Sequence, residues 1–398
     1  MLLPEKVAFS KEACFNQNYR VKRQNIMAKV NIEISLLQAM LPDYSPEHLR
    51  YLRNRLQGQN TFEIWTNQSS DPIEFIVEIG DVALLPEAEP AIPYLKSEGL
   101  ISEQDSDLTG VIDIGGGTAI YYLVDNNGVP LSSSRKVVNL GTKALFENIL
   151  ANEEFRQGCE PLGSISDASI LQKRIIQALE ISKIKGTPLS LIYARNNQFF
   201  DWTHIYDKLT RDWLNLIIGS SQSHWKLIDG AINSLQQVVH IGGGAHIINQ
   251  FIKPEDRSWL LIPSEPQLAS VLGAAISSSG SKVATVDPGN RMIKSIIPGQ
   301  RNAATLDSKV AILESVPRNP MRYIPEDTFV VRYSSGPCLI KGKQTEWIKA
   351  FGVGAKSLNA QAVETHASIG KERIYDYLSI AGIVNSFLNQ KAAKAKAA

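Results

Sequence analysis

Two aspartates stand near the ends of apolar stretches, each just before a glycine turn. Asp113 begins the motif DIGGGT, and Asp287 lies in the motif VDPGNRMIK. Glycine has no Cβ, so the amide groups of such a turn can close around phosphate oxygens. A carboxylate at a strand end can hold a hydrated Mg²⁺, which keeps several of its waters. Asp113 and Asp287 are therefore predicted to hold a magnesium ion beside bound phosphates.

Other groups in and near these motifs suit the same chemistry. The Thr118 hydroxyl adds a hydrogen-bond donor, and Lys294 can reach a β- or γ-phosphate as a point charge. A second glycine triplet follows the apolar stretch in VVHIGGGAHII and allows a nucleoside to approach the main chain closely. The glycines of the two triplets are Gly115, Gly116, Gly117, Gly242, Gly243 and Gly244. Each motif alone also fits an ordinary turn, but together they predict a clamp on a metal-bound triphosphate.

Two further carboxylates lie in LLPEAEPAI, between Pro86 and Pro90. Glu87 or Glu89 could orient a water molecule or accept its proton during hydrolysis. The same residues also fit a surface turn with solvated acids. We call residues 86–90 the acid loop.

The sequence predicts the elements that must position these residues. Asn126, Asn127 and Gly128 favour a hairpin turn, so residues 111–138 are predicted to form a three-stranded meander. Other predicted strands are 31–41, 73–79, 190–194 (buried), 237–241, 310–315, 328–333 and the strand–turn–strand unit that begins at 283. Predicted helices are 45–57, capped by Ser45, and 140–152, 166–182, 203–219, 265–278 and 371–388. Residues 277–282 read as a flexible joint, and the tail 391–398 as low-complexity sequence.

Composition narrows the class of protein. The chain has 398 residues, of which 43% are apolar, enough for two cores of ordinary size. Charged residues make up 20% and the net charge is +1, which gives no general attraction to DNA or an anionic membrane. The 3 cysteines lack metal-ligand spacing, and neither a signal peptide nor an apolar span is recognisable. We expect a cytoplasmic protein without membrane contact.

These motifs together resemble those of the actin, heat-shock chaperone and sugar kinase superfamily. VDPGNRMIK is similar to its first phosphate motif, DIGGGT to its second and IGGGA to its adenosine motif. PEAEPA resembles the loop that supplies the water-positioning acid in the plasmid-segregation actins, the ParM group, and SEPQLASVLGAA resembles that group's following segment.

The resemblance implies an α/β fold with two related, ribonuclease H-like domains and ATP with Mg²⁺ between them. Asp287, Gly289, Asn290 and Lys294 would then bind the phosphates from one domain. Asp113 and its glycine turn would bind from the other domain, Gly242 to Gly244 would support the nucleoside, and Glu87 would position the water. Lys173 and its neighbour Arg174 are candidates for the adenine contact, and GTP stays open as an alternative nucleotide. The resemblance also implies filaments formed by self-association, and DNA contact only through an adaptor protein.

The order of the motifs differs from that of the family, where the first phosphate motif opens the chain. Here it follows the other two, which predicts a circular permutation. Residues 283–398 followed by 1–110 would form the first domain, and residues 111–282 the second.

Three departures from the family pattern leave other functions open. Ala119 and Ile120 stand where the family commonly has Thr-Asp, and Ser270 stands where it often has Asn. The missing hydroxyl and carboxylate favour a non-hydrolysing or weakly hydrolysing scaffold as one alternative. A small-molecule kinase of the same superfamily is the other, although the sequence shows no substrate-side acid typical of one.

Overall fold

The computed structural model describes residues 29–41, 46–102, 104, 107–228, 231–278, 282–288, 292–297, 300, 302–307, 309–313, 321, 324, 329–333, 338–341 and 356–357. These residues divide into two compact units. The first contains the described residues up to Leu84 and those from Lys282 onward, and the second contains Leu85 to Ser278. The boundary thus lies near residue 84, whereas the sequence suggested residue 110. The predicted Ser45 cap, the helix 371–388 and the tail 391–398 lie outside the described residues.

The described part of the first unit contains a ten-stranded sheet and helix α1 (Pro46–Leu56). Its strands are β1 (Lys29–Leu41), β2 (Gly58–Trp65), β3 (Ile73–Pro86), β11 (Val283–Pro288), β12 (Met292–Ile296), β13 (Ala304–Asp307), β14 (Lys309–Leu313), β15 (Phe329–Tyr333), β16 (Cys338–Lys341) and β17 (Lys356–Ser357). Their order in the sheet is β13-β12-β11-β1-β3-β2-β15-β16-β14-β17. The sheet therefore joins two segments of chain that the whole second unit separates in sequence.

Strands β1 and β11 make this junction. They pair in parallel, with Leu36 opposite Val283 and Ala39 opposite Val286. Alternating apolar residues of both strands, including Leu37 and Val286, enter one buried core together with Leu52 of α1. Residues from both sides of the second unit thus share one sheet and one core.

The second unit has a five-stranded sheet with helices on both faces and a separate two-stranded hairpin. Its strands are β4 (Leu108–Ile114), β5 (Ala119–Asp125), β6 (Lys136–Val138), β7 (Ile192–Arg195), β8 (Gln198–Asp201), β9 (Leu235–Ile241) and β10 (Leu260–Leu261). Its helices are α2 (Ile92–Ser97), α3 (Thr142–Ala151), α4 (Glu153–Cys159), α5 (Ala168–Lys185), α6 (Thr203–Trp225), α7 (Ala231–Ser234), α8 (Ala245–Ile248) and α9 (Ala269–Ser277).

The five strands follow the order β10-β9-β4-β5-β6, with β4, β5 and β6 as an antiparallel meander and β9 parallel to β4. Side chains alternate across this sheet. Ile112 and Tyr121 face the core beneath α3 and α6, whereas Val111 and Tyr122 face the core beneath α2 and α9. The predicted meander and the α/β class are confirmed.

One predicted strand needs correction, and one observed strand was not predicted. The segment 190–194 was expected to be a buried strand, but β7 belongs to the separate hairpin, and Ile192 is about half exposed. Strand β2 was not predicted, because GQNTFEIW has little regular alternation of apolar and polar residues.

The two sheets share one arrangement of four strands. In the second unit the order β6-β5-β4-β9 combines the antiparallel meander with parallel β9. In the first unit β13-β12-β11-β1 repeats it, since β11, β12 and β13 are antiparallel and β1 is parallel to β11. In the first unit, however, the strand corresponding to β9 comes first in the sequence.

Candidate functional site

The glycine turn between β4 and β5 is held in place by the start of helix α3. The amide groups of Thr142 and Lys143 donate to the carbonyl oxygens of Gly115 and Gly116, at 3.0 and 2.8 Å. Because the carbonyls of the turn face α3, the amide groups of the exposed Gly116 and Gly117 donate to no protein acceptor within the described part of the chain. They can therefore bind an anion.

Gly141 makes this close approach possible, and sequence analysis missed it. A Cβ at Gly141 would lie 2.5 Å from the carbonyl carbon of Gly117 and 2.6 Å from the amide nitrogen of Thr118. Both atoms belong to the main chain, so any side chain at this position would displace the turn. The position of Gly141 near the start of a predicted helix could be seen in the sequence. Its contact with the turn 115–118 could not, because that contact depends on the tertiary fold.

The second glycine triplet packs against the end of β4. Gly242 has a φ of 80°, and a Cβ there would lie 2.2 Å from Oδ1 of Asp113. The Gly244 amide donates to the carbonyl of Ile114 at 2.9 Å. The structure thus brings together Asp113, the turn 115–118 and the triplet 242–244, which the sequence had selected separately.

Two histidines flank the second triplet. His240 is completely buried, and burial lowers its pKa to about 4. Among the described residues, its two ring nitrogens have no hydrogen-bond partner. Burial also lowers the pKa of His246, and the negative charge of Glu265 partly opposes this shift. His240 is therefore neutral at physiological pH and belongs to the core beneath the site.

The acid loop is fixed by contacts on both sides of its carboxylates. Ala88 is buried with a φ of 78°, and its carbonyl accepts a hydrogen bond from the Tyr122 hydroxyl at 3.0 Å. A Cβ at Gly273 in α9 would lie 2.0 Å from the carbonyl oxygen of Pro90. The main chain of the acid loop is therefore anchored to β5 and α9.

The acid loop ends in a 3₁₀ helix, Glu89–Ala91, in which the carboxylate of Glu89 lies beside the guanidinium of Arg135. Nε of Arg135 lies 3.4 Å from Oε1 of Glu89, and their side chains are 17% and 26% exposed. Burial raises the pKa of Glu89, and the guanidinium of Arg135 opposes that effect. The pKa of Tyr122 is also well above its usual value, because it is buried and because Asp113 and Glu89 are negatively charged. Glu89, Arg135 and Asp113 thus act on a common site around Tyr122.

The corresponding hairpin of the first unit carries a buried ion pair. Asp287 pairs with Lys294 across β11 and β12, as Asp113 pairs with Ile120 across β4 and β5. Nζ of Lys294 lies 2.7 Å from Oδ2 of Asp287, whose side chain is 9% exposed. Lys294 thus contacts the predicted metal-binding carboxylate. Gly289 and Asn290, also predicted here, lie outside the described residues.

Lys173 is not joined to the second unit's site by any described contact. It is exposed on α5, and the neighbouring Arg174 stacks over the ring of Tyr193 at 4.6 Å. The adenine contact of Lys173 stays a prediction. Ala119 and Ile120 are buried in the cores on opposite faces of the sheet, so both positions serve packing in this chain.

The residues present fit a nucleotide with magnesium. The exposed amides of Gly116 and Gly117 suit phosphate oxygens. Only glycine at position 242 lets the second triplet pack against Asp113 without displacing it. Asp113 is a carboxylate of the kind that holds Mg²⁺ through its waters. No three carboxylate, histidine or cysteine side chains converge in the described ranges, so an all-protein metal cage is not found there.

Comparison with known proteins gives structural matches only. The chain matches no protein-family model, and no curated protein matches its sequence. Among solved structures, it is similar to Ta0583, an archaeal actin homolog, with 16% identity over 62% of this chain and 71% of that one and a TM-score of 0.45. It is also similar to the actin-like protein Alp7A, with 17% identity, coverage of 62% and 67% and a TM-score of 0.48. A ParM filament from Clostridium botulinum matches with 16% identity, coverage of 60% and 64% and a TM-score of 0.41.

None of the helices in the described ranges combines the length and the apolar character needed to cross a bilayer.

Proposed function

We propose that this chain is an actin-like ATPase of the ParM kind, with a circularly permuted first domain. One observation carries the proposal. The two units repeat the same four-strand arrangement, and each places an aspartate at the same register position before a turn. Asp113 is paired with the residue seven positions later, and so is Asp287. Each unit thus carries a hairpin that resembles a phosphate hairpin of the actin superfamily.

The residues would divide the work as follows. The amides of Gly116 and Gly117 and the hydroxyl of Thr118 bind phosphate oxygens. Asp113 and Asp287 would supply carboxylates to the water shell of Mg²⁺, which when bound would neutralise phosphate charge. Lys294 adds a positive charge near Asp287. In this proposal the acid loop orients the attacking water, a role that the family resemblance gives to Glu87.

Chain order supports the permutation. The parallel pairing of β1 with β11 joins residues near the beginning of the chain to the segment that carries Asp287. If β11 is taken as the first strand, the chain order in both units is an antiparallel meander followed by a parallel strand, which is β1 in the first unit and β9 in the second. We propose that the protein forms nucleotide-dependent filaments in the cytoplasm and moves plasmid DNA through an adaptor.

The test uses the purified protein with ATP and, separately, with GTP, each with Mg²⁺. Phosphate release, light scattering and electron microscopy are followed in the same samples. Phosphate release together with filaments supports the proposal. Absence of both phosphate release and filaments with ATP and with GTP refutes it.

A second function is favoured by one observation. Ala119 and Ile120 are core residues, so the turn gains neither a hydroxyl nor a carboxylate from these positions. A weakly hydrolysing scaffold would bind ATP and assemble without comparable phosphate release, and the same experiment distinguishes it.

A further inference from the structure

Arg135 occupies a defined place on the edge strand of the second unit. It lies between a 3₁₀ helix, Ser132–Ser134, and β6. Lys136 pairs with Tyr121, so strand alternation places Arg135 beside Tyr122, on the face that carries α2. Lys136 is exposed, whereas the side chain of Arg135 is 17% exposed. The strand register therefore directs one particular cation inward.

That cation meets the second carboxylate of the acid loop. The ion pair of Arg135 with Glu89 is largely shielded from water on both sides, which strengthens it relative to a surface pair. Main-chain anchors at Ala88 and Pro90 fix the backbone around Glu89, but they leave the rotamers of its side chain undetermined. The ion pair with Arg135, in which Nε lies 3.4 Å from Oε1 of Glu89, restricts them.

We propose that Arg135 is a positioning residue that holds Glu89 as the water-orienting carboxylate, an inference that rests on the proposed ATPase function. It moves the role from Glu87 to Glu89. In the step concerned, a water oxygen forms a bond to the γ-phosphorus and the bond from that phosphorus to the β–γ bridging oxygen breaks. The proton of the water passes to the Glu89 carboxylate and then to solvent, and the products are ADP and inorganic phosphate.

Charge explains why an arginine suits this place. A carboxylate can accept the proton only when it is ionised, and burial disfavours the ionised form of Glu89. The guanidinium stays positively charged at all relevant pH values and opposes that effect. Removal of Arg135 therefore impairs both the orientation and the charge of Glu89.

The experiment measures single-turnover ATP hydrolysis and, separately, the Kd of Mg-AMPPNP. The variants are Arg135→Gln, Arg135→Lys, Glu89→Gln, Glu87→Gln and the double variant Arg135→Gln/Glu89→Gln, with Lys136→Gln as a control at the adjacent exposed cation. Thermal melting establishes that each variant is folded. Arg135→Lys keeps the charge, so it remains informative if Arg135→Gln does not fold.

We expect Glu89→Gln to slow hydrolysis about 100-fold and Arg135→Gln about tenfold or more, with Kd changed less than about twofold. Arg135→Lys restores part of the rate, and the double variant is no slower than Glu89→Gln, because the two residues act as a unit. Lys136→Gln stays within about threefold of the original chain, and Glu87→Gln loses less activity than Glu89→Gln.

Additive losses in the double variant, or an unchanged rate in Arg135→Gln, overturn the inference while the ATPase proposal stands. A large loss in Glu87→Gln alone returns the role to Glu87 and also overturns it. If the unmodified chain binds no nucleotide or releases no phosphate, the ATPase function fails, and Arg135 has no such role.

Discussion

A single methyl group at Gly273 tests the contact that anchors the acid loop. The Cβ of Gly273→Ala would lie 2.0 Å from the carbonyl oxygen of Pro90 and 3.0 Å from two main-chain atoms of Ala91. The first distance is more than 1 Å shorter than van der Waals contact allows, and no flexible side chain is available to move. Helix α9 and the acid loop must therefore separate.

The expected magnitude follows from two opposing effects. Overpacking of this kind costs about 3 kcal/mol, and alanine in place of a helical glycine returns about 1 kcal/mol. The net loss of about 2 kcal/mol lowers the melting temperature of a unit of this size by about 4–8 °C. ATP hydrolysis should fall as well, because Glu89 precedes the displaced Pro90.

Gly219→Ala is the matched control. Gly219 is exposed in α6, and a Cβ there meets nothing within 4 Å. The same chemical change should raise the melting temperature by about 2–4 °C. Melting curves followed by circular dichroism check both variants. A melting temperature for Gly273→Ala equal to or above that of the unmodified chain would refute the packing argument.

Two further predictions concern charge. Asp113→Asn and Asp287→Asn should each weaken Mg-ATP binding about 10- to 100-fold in calorimetric titrations. The control Asp125→Asn keeps an acceptor for the Val129 amide and should not weaken binding. Equal affinities in all three variants would contradict the assignment of the phosphate hairpins. The pKa of His240 is about 6.5 in the unfolded state and about 4 in the folded state, so only the unfolded state binds the extra proton between these pH values. The free energy of unfolding therefore falls by about 3 kcal/mol as pH drops through this range. His240→Leu should reduce this loss, and the difference in melting temperature between pH 7 and pH 4.5 measures it; an unchanged difference would mean that His240 is not buried as described.

Local patterns were enough to predict the hairpins. The β4–β5 turn depends on three consecutive glycines, and the β11–β12 hairpin on an apolar stretch followed by Asp287 and Pro288, so their chemistry is visible within a few residues. The meander also followed from Asn126 to Gly128, where Gly128 has a φ of 81°.

Other parts of the site could not be predicted, because distant contacts determine them. Arg135 looks like any basic residue in SSSRKVV, and only the register of β6 against β5 directs it toward Glu89. A glycine before a helix, such as Gly141, is common in sequences. Glycine is required at this position because the turn 115–118 packs directly against it. Burial of β7 was predicted wrongly because an apolar run such as SLIYA does not distinguish a sheet interior from a packed hairpin.

The parallel pairing of β1 with β11 has a consequence during protein synthesis. Leu36 leaves the ribosome 247 positions before its partner Val283. At about 5–20 residues per second, that delay is roughly 12–50 s. The second unit is continuous in sequence and can fold in this interval, while one edge of β1 waits without its neighbour. An open strand edge of this kind invites pairing with other chains until translation reaches β11.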